Sequence, residues 1–235
     1  MAKSAPNLLI NKQHSHASTL ELWPDANLTL GRVHEACGPN RRSLAMMIAQ
    51  KMDGPIFWIT PEWNTDHPHV DGMISFINPG RMTFITPKRT EDIFWIVEEV
   101  LRSGAVPLVI ADLSGLPALT PVRRLHLAAE TGLAEGTLPP LGLLLTPEDG
   151  GAPGIESRWH LAARHQGTDN IWQLDRIRSR SAPPPQLATV PPSWAICTLS
   201  FKHNRARHRT LSLTFLLYHL LGPQKGANKI LTPSS

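Results

Sequence analysis

The residues best placed to do chemistry are Gly38-Pro39-Asn40-Arg41-Arg42-Ser43-Leu44-Ala45, a turn between a strand-like and a helix-like segment. A phosphate-binding loop, G-x-x-x-x-G-K-[ST], occupies such a position. Its glycines let backbone N–H groups wrap phosphates, its lysine neutralises them and its hydroxyl holds magnesium. Gly38 supplies the first glycine, but Ser43 stands at the second, Leu44 at the lysine and Ala45 at the hydroxyl. Phosphoryl transfer rests on positioned cations, so the loop is degenerate and no nucleotide cofactor is expected. Arg41 and Arg42 can still meet an anion at the helix start, or serve as surface arginines of a helix-starting turn. Two acids lie at strand ends, Glu62 after residues 55–60 (PIFWIT) and Asp112 after residues 106–111 (VPLVIA). Without a cation between them, they read as strand-end carboxylates that cap neighbouring loops.

A second group of residues suits a polyanion. The net charge is only +4, from 23 basic and 19 acidic residues, but no acid follows Asp175. The last 60 residues carry nine basic side chains, leaving the first 175 with 14 basic against 19 acidic. Acid-free basic segments attract nucleic-acid phosphates; the alternative is a solvated tail. Arg176, Arg178 and Arg180 are spaced by two, so on a regular strand they form one basic row with Ile177 facing the core. Trp172 and Trp194 offer surfaces for base stacking, although a strand tryptophan more commonly packs inward. Lys202, Arg205, Arg207 and Arg209 form the densest cluster, which fits DNA contact or an unstructured tail equally well. These seven basic residues are the expected DNA-binding set.

Metal and nucleophile chemistry have little support. His14 and His16, then Asp66, His67, His69 and Asp71, have ligand types at short spacing, and His203 and His208 are five apart. A zinc site needs two such pairs converging, and Cys197 is the only thiol near the last pair, so no metal is expected. Cys37 and Cys197 cannot build a disulfide framework. No apolar run is long enough to span a bilayer, and the start lacks the apolar core of a secretory signal. The expectation is a cytoplasmic protein without a membrane partner.

These residues need elements to hold them. Apolar residues make up 41% of the 235, enough for a core, while 22 prolines and 16 glycines imply short elements and rigid turns. Residues 1–27 read as a mobile arm. Strands are expected at 28–37, 55–60, 82–86, 106–111 and 141–145, with 82–86 buried. Helices are expected at 41–52, at 90–103 with Thr90 as its cap and Gly104 as its stop, and from Thr120 to Gly132. Alternation of this kind marks a parallel sheet. Residues 157–163, 171–178 and 194–200 look like strands without helices between them, an antiparallel extension. A proline-rich connector fills 181–192, and residues 211–221 form an apolar segment too short to cross a bilayer.

The segments PIFWITPEWN and MTFITPKRTEDIFWIVEEVLRSGAVPLVIADLSGLPALTP resemble the core of RecA-type recombinases. In that family a strand-end acid polarises the attacking water, which corresponds to Glu62. A Ser-Gly-Ala turn precedes the Walker B strand, which corresponds to Ser103-Gly104-Ala105 and Asp112. More specifically, the chain resembles the ImuA family. The carriers are Gly31-Arg32-Val33-His34-Glu35, Ser157-Arg158-Trp159, and Trp172 through Arg180 followed by a proline-rich stretch and Trp194. The resemblance covers residues 28–205 and leaves 206–235 as an unmatched basic and apolar extension.

The resemblance implies an α/β, RecA-like P-loop NTPase fold with a degenerate Walker A turn, a parallel sheet flanked by helices and a C-terminal antiparallel extension. It implies a non-enzymatic accessory of SOS-induced translesion DNA synthesis. Its partners would be a catalytically inactive Y-family polymerase homologue and an error-prone replicative-type polymerase. Two other readings stay open: a RecA-like DNA-dependent ATPase using a reshaped loop, and an SOS cell-division inhibitor.

Overall fold

The computed structural model describes residues 18–23, 26–165, 171–180 and 196–200. In chain order the elements are β1 (Thr19–Trp23), β2 (Ala26–Thr29), β3 (Val33–Cys37), α1 (Arg41–Gln50), β4 (Ile56–Ile59), α2 (Val70–Ile74) and β5 (Met82–Ile85). They continue with α3 (Thr90–Ser103), β6 (Leu108–Asp112), α4 (Leu119–Glu135), β7 (Leu141–Leu145), β8 (Ser157–Ala163), β9 (Ile171–Ser179) and β10 (Ile196–Ser200). One eight-stranded sheet has the order β10-β9-β8-β3-β7-β6-β4-β5. The six strands from β8 to β5 are parallel, while β9 pairs antiparallel with β8 and parallel with β10. The fold is therefore mixed α/β, with a mostly parallel sheet between helices. The expected antiparallel extension begins one strand later than read, because β8 joins β3 in parallel.

Strands β3, β6 and β7 are buried along their whole length, which explains their nearly continuous apolar runs. On one face, α1 packs Leu44, Met47 and Ile48 against Trp58, Ile110, Leu143 and Trp159. On the other, Ile93, Val97 and Leu101 of α3 and Val122, Leu125 and Ala129 of α4 cover Val33, Val109 and Leu144. No residue of β8 or β9 belongs to that second cluster.

Several expectations change. Residues 28–37 are two strands, broken at Gly31, whose φ of 69° needs no Cβ. The arm at 1–27 shortens, since β1 and β2 form a hairpin that buries Leu22, Trp23 and Leu28 in the α1-side core. β5 is an edge strand and only partly buried. Thr90 starts α3 without capping it, and Gly104 ends it in the left-handed region at φ 56°. Gly132 does not stop α4, which runs to Glu135. A Cβ on Gly132 would lie 2.0 Å from the Leu101 carbonyl oxygen, so this glycine lets two helices touch.

His34 shows how the core is satisfied. Its Nε2 donates to the Thr29 carbonyl at 2.9 Å, and its Nδ1 accepts from Ser157 Oγ at 2.7 Å. Ser157 Oγ in turn accepts from Trp159 Nε1 at 2.7 Å. This chain needs a neutral imidazole, and burial pushes the His34 pKa down to about 4.

Two predictions follow from packing and titration. Gly132→Ala lowers unfolding stability by about 2–3 kcal/mol, whereas Gly72→Ala, with open space around it, is neutral or gains up to about 1 kcal/mol; urea denaturation reads both. The unfolded chain protonates His34 near its ordinary 6.5 and the folded chain only near 4, so the unfolded state holds more protons in between. Stability is full above that window and falls as pH drops through it, by roughly 3 kcal/mol. His34→Asn should flatten that slope.

Candidate functional site

The degenerate turn joins β3 to α1, at the C-terminal end of the parallel strands. Gly38 takes φ 87°, and a Cβ there would lie 2.6 Å from the His160 ring and 2.8 Å from the Leu161 carbonyl. The turn is held from both sides by the chain itself. The Gly38 amide donates to the Glu148 carbonyl at 2.7 Å, the Asn40 amide to Leu161 at 3.2 Å, and the Arg41 amide to Gly38 at 3.3 Å. The Asn40 side chain accepts from the Ala163 amide at 2.9 Å, fastening the turn to β8. The amides of Gly38, Asn40 and Arg41 are thus committed to internal carbonyls, as is that of Leu44, which donates to Asn40 at 3.1 Å.

The side chains follow the same pattern. Leu44, at the lysine position, is 1% exposed and packs in the α1-side core, with Ala45 buried beside it. Ser43 is half-buried. Asp112 closes β6 and is 1% exposed. Its Oδ2 accepts from Arg42 Nε at 2.6 Å, and Arg41 Nε lies 3.9 Å from its Oδ1. Arg42 also pairs with Asp66. Burial raises the Asp112 pKa, with Arg42 and then Arg41 opposing the rise. Burial disfavours the Arg42 charge, but Asp112 and Asp66 outweigh it and hold the guanidinium above its ordinary value. The sequence reading placed Arg41 and Arg42 at an anion; that anion is Asp112 of the same chain.

Glu62 sits apart from this pair. It is exposed, and its amide donates to the Pro87 carbonyl at 3.0 Å. It follows β4 as Asp112 follows β6, and the two strands are neighbours, yet no side-chain contact among the described residues joins the two acids. Asp112 does not cap a loop as expected; it closes an ion-pair network across β6, α1 and the loop after β4. His69 accepts from the Asp71 amide at the start of α2, and His67 lies edge-on to Phe84. Among the described residues no three metal-ligating side chains converge. His14, His16, Cys197, His203 and His208 have no described side chains.

The basic row is broken. Trp159 faces Arg176, but Arg158 faces Arg178, so Ile177 is an extra residue that bulges β9. Arg176 is 8% exposed, with its guanidinium 5.6 Å above the Trp159 ring on the α1 side. Arg178 and Arg180 are exposed on the α4 side, beside Arg32 and Arg123. Trp172 is buried and meets His165 edge-on; Trp194 lies outside the described residues. So do Lys202, Arg205, Arg207 and Arg209. Spacing by two carries no sign of a bulge, and Arg32 and Arg123 lie in the acidic part of the chain, so sequence reading missed both.

Two of the segments that carried the family resemblance, Gly31–Glu35 and Ser157–Trp159, meet in space. Glu35, fully buried, accepts from Arg158 Nε at 2.5 Å, from Thr146 Oγ1 at 2.6 Å, and from the amides of Gly151 and Ala152 at 2.8 and 3.0 Å. No helix among the described residues is long and apolar enough to cross a membrane.

No protein-family model matches the chain, and no curated protein matches its sequence. Among solved structures it is similar to SulA from Pseudomonas aeruginosa, with a TM-score of 0.39 and 18% identity over 49% of this chain and 98% of that one. A likeness this loose says nothing of function.

If Asp112 is a structural partner of Arg42, Asp112→Ala destabilises the fold by about 1–3 kcal/mol, because it leaves the partly buried Arg42 guanidinium without its acceptor on β6. A catalytic acid kept for an external metal would behave oppositely, its removal relieving strain and raising the melting temperature. Thermal and urea unfolding of the variant separate the two.

Proposed function

We propose that the protein is a non-enzymatic accessory of SOS-induced translesion DNA synthesis, built on a RecA-like core whose nucleotide site is closed from within. It acts by binding a catalytically inactive Y-family polymerase homologue, and with it an error-prone polymerase, and it contacts DNA through basic residues. The observation that carries the non-enzymatic part is the Arg42–Asp112 pair at 2.6 Å. An arginine of α1 occupies the acid that magnesium would need, while Leu44 is packed in the core. The amides of Gly38, Asn40 and Arg41 in the turn have internal acceptors. Opening this site costs a partly buried ion pair and three hydrogen bonds, with no lysine to offset the phosphate charge.

The translesion part is supported by the resemblance to the ImuA family. Two of its three motifs are not scattered surface residues but two sides of one buried pair, Glu35 and Arg158. Asp112 ends β6 and Glu62 lies three residues beyond the neighbouring β4, an arrangement that supports reading the two as vestigial acids.

Titration with a fluorescent ATP analogue, with and without DNA, is expected to show no saturable binding. Micromolar binding in either condition would sink the proposal in favour of a DNA-dependent ATPase. The full chain, tagged and recovered from DNA-damaged cells of its source, is expected to co-purify with a polymerase homologue. Recovery of a cell-division protein in its place would overturn the partner assignment.

A further inference from the structure

We propose that the cleft between α4 and the β8–β9 end of the sheet binds the phosphodiester backbone of a nucleic-acid strand through Arg32, Arg123, Arg178 and Arg180. The inference rests on the DNA contact proposed above, and moves that contact from a strand row and a tail to a built groove.

Three stretches of chain converge there. Arg32 precedes β3, Arg123 lies on the outer stripe of α4, and Arg178 and Arg180 come from the end of β9. The cleft has a volume of about 880 Å³. Among the described residues, α3 and α4 cover the sheet only as far as β3, and no helix packs on the adjoining β8–β9 face. The bulge at Ile177 then decides which arginines the cleft receives. With regular pairing, Arg178 would follow Arg176 onto the α1 side. The extra residue turns Arg178, and with it Arg180, towards α4.

The charge in the cleft is unbalanced. Four guanidiniums face two carboxylates, Glu130 and Glu156. Arg32 pairs with Glu130, and Arg180 Nη1 donates to the neutral Gly154 carbonyl at 3.3 Å. Arg123 and Arg178 have no acidic partner among the described residues. Arginine forks match phosphate oxygens, and repeated arginines along a groove match a repeating phosphate chain. Among the described residues the lining holds no Phe, Tyr or Trp, and its one imidazole, His126, is buried and bonded to the Val33 amide and the Gly154 carbonyl, so these residues give bases nothing to stack on and recognition is of backbone, indifferent to sequence. An acidic peptide would call for an apolar anchor pocket at the centre of its interface. Here the apolar side chains, Leu119 and Leu127, stand on the helix wall instead.

The test is fluorescence anisotropy of labelled oligonucleotides, single-stranded and duplex, with the full chain at about 50 and about 200 mM salt. The wild type should bind irrespective of sequence and weaken as salt rises. Combining Arg123→Ala with Arg178→Ala should weaken binding at least about tenfold and lower the salt slope by roughly one to two. Arg123→Lys with Arg178→Lys should restore most of the affinity. Both residues are exposed, so the melting temperature should hold; should the alanine pair melt early, the lysine pair and Arg123→Ala alone still report on the groove. A variant with alanine at Lys202, Arg205, Arg207 and Arg209 is the comparison. If that variant abolishes binding while the groove variant binds like wild type, the groove is wrong and DNA contact stands. If the wild type binds no oligonucleotide, both fall. If poly-glutamate displaces the oligonucleotide at equal charge concentration, the cleft reads acidic protein and the inference is overturned.

Discussion

A fully buried acid at the centre of the sheet, Glu35, sets the terms for the rest of the molecule. A carboxylate at that depth is tolerable only when donors surround it. The chain supplies four, from three places: the Arg158 guanidinium on β8, the Thr146 hydroxyl after β7, and two amides of the 150–152 loop. Arg158 is itself completed by the Ala152 carbonyl at 3.1 Å. Because β3 lies between β7 and β8, one side chain ties both neighbours and the loop between them. The loop can come this close because Gly150 has φ 71°; a Cβ there would lie 2.6 Å from the Glu35 oxygen. Strand β9, which carries Arg176 and Arg178, pairs with a strand positioned by this pair.

Asp112 is handled by the same physics with a different consequence. It is a strand-end acid removed from water, and like Glu35 it is met by a guanidinium. In a nucleotide-binding site such a charge is balanced from outside, by a metal and the phosphates it carries. Here the balance comes from the first turn of α1. Arg42 can reach Asp112 because Leu44, two positions on, points into the core and fixes how the helix is rotated against the sheet. Leu44 therefore also helps aim the arginine that meets Asp112. Loss of one charge and capture of another are coupled by the helical repeat.

Local signals survived folding where one element decided its own fate. The apolar runs of β4, β6 and β7 and the spacing of α3 read directly, since continuous burial on both faces and a 3.6-residue period leave a plain pattern. Misreadings came where a partner decided. Gly132 looks like a helix stop, yet α4 continues through it because Leu101 presses against that position. The β1–β2 hairpin looks polar, yet its Leu22, Trp23 and Leu28 close the α1-side core. Arg42 and Asp112 are 70 positions apart, and nothing local in either announces the other. The site was legible as a degenerate turn and two acids; what fills it was not.

Charge distribution makes the same point at larger scale. Along the chain the basic residues concentrate after Asp175, which invites a picture of an acidic body with a basic tail. In space the first residue of that segment, Arg176, turns inward over Trp159. Two arginines from the acidic body join Arg178 and Arg180 on the outside. A single extra residue in β9 produces that exchange, because each strand position faces opposite to the one before it. Electrostatic function belongs to the face of a sheet, and a face is set by pairing register, so an inserted residue can move a basic surface from one side of the protein to the other without changing its net charge.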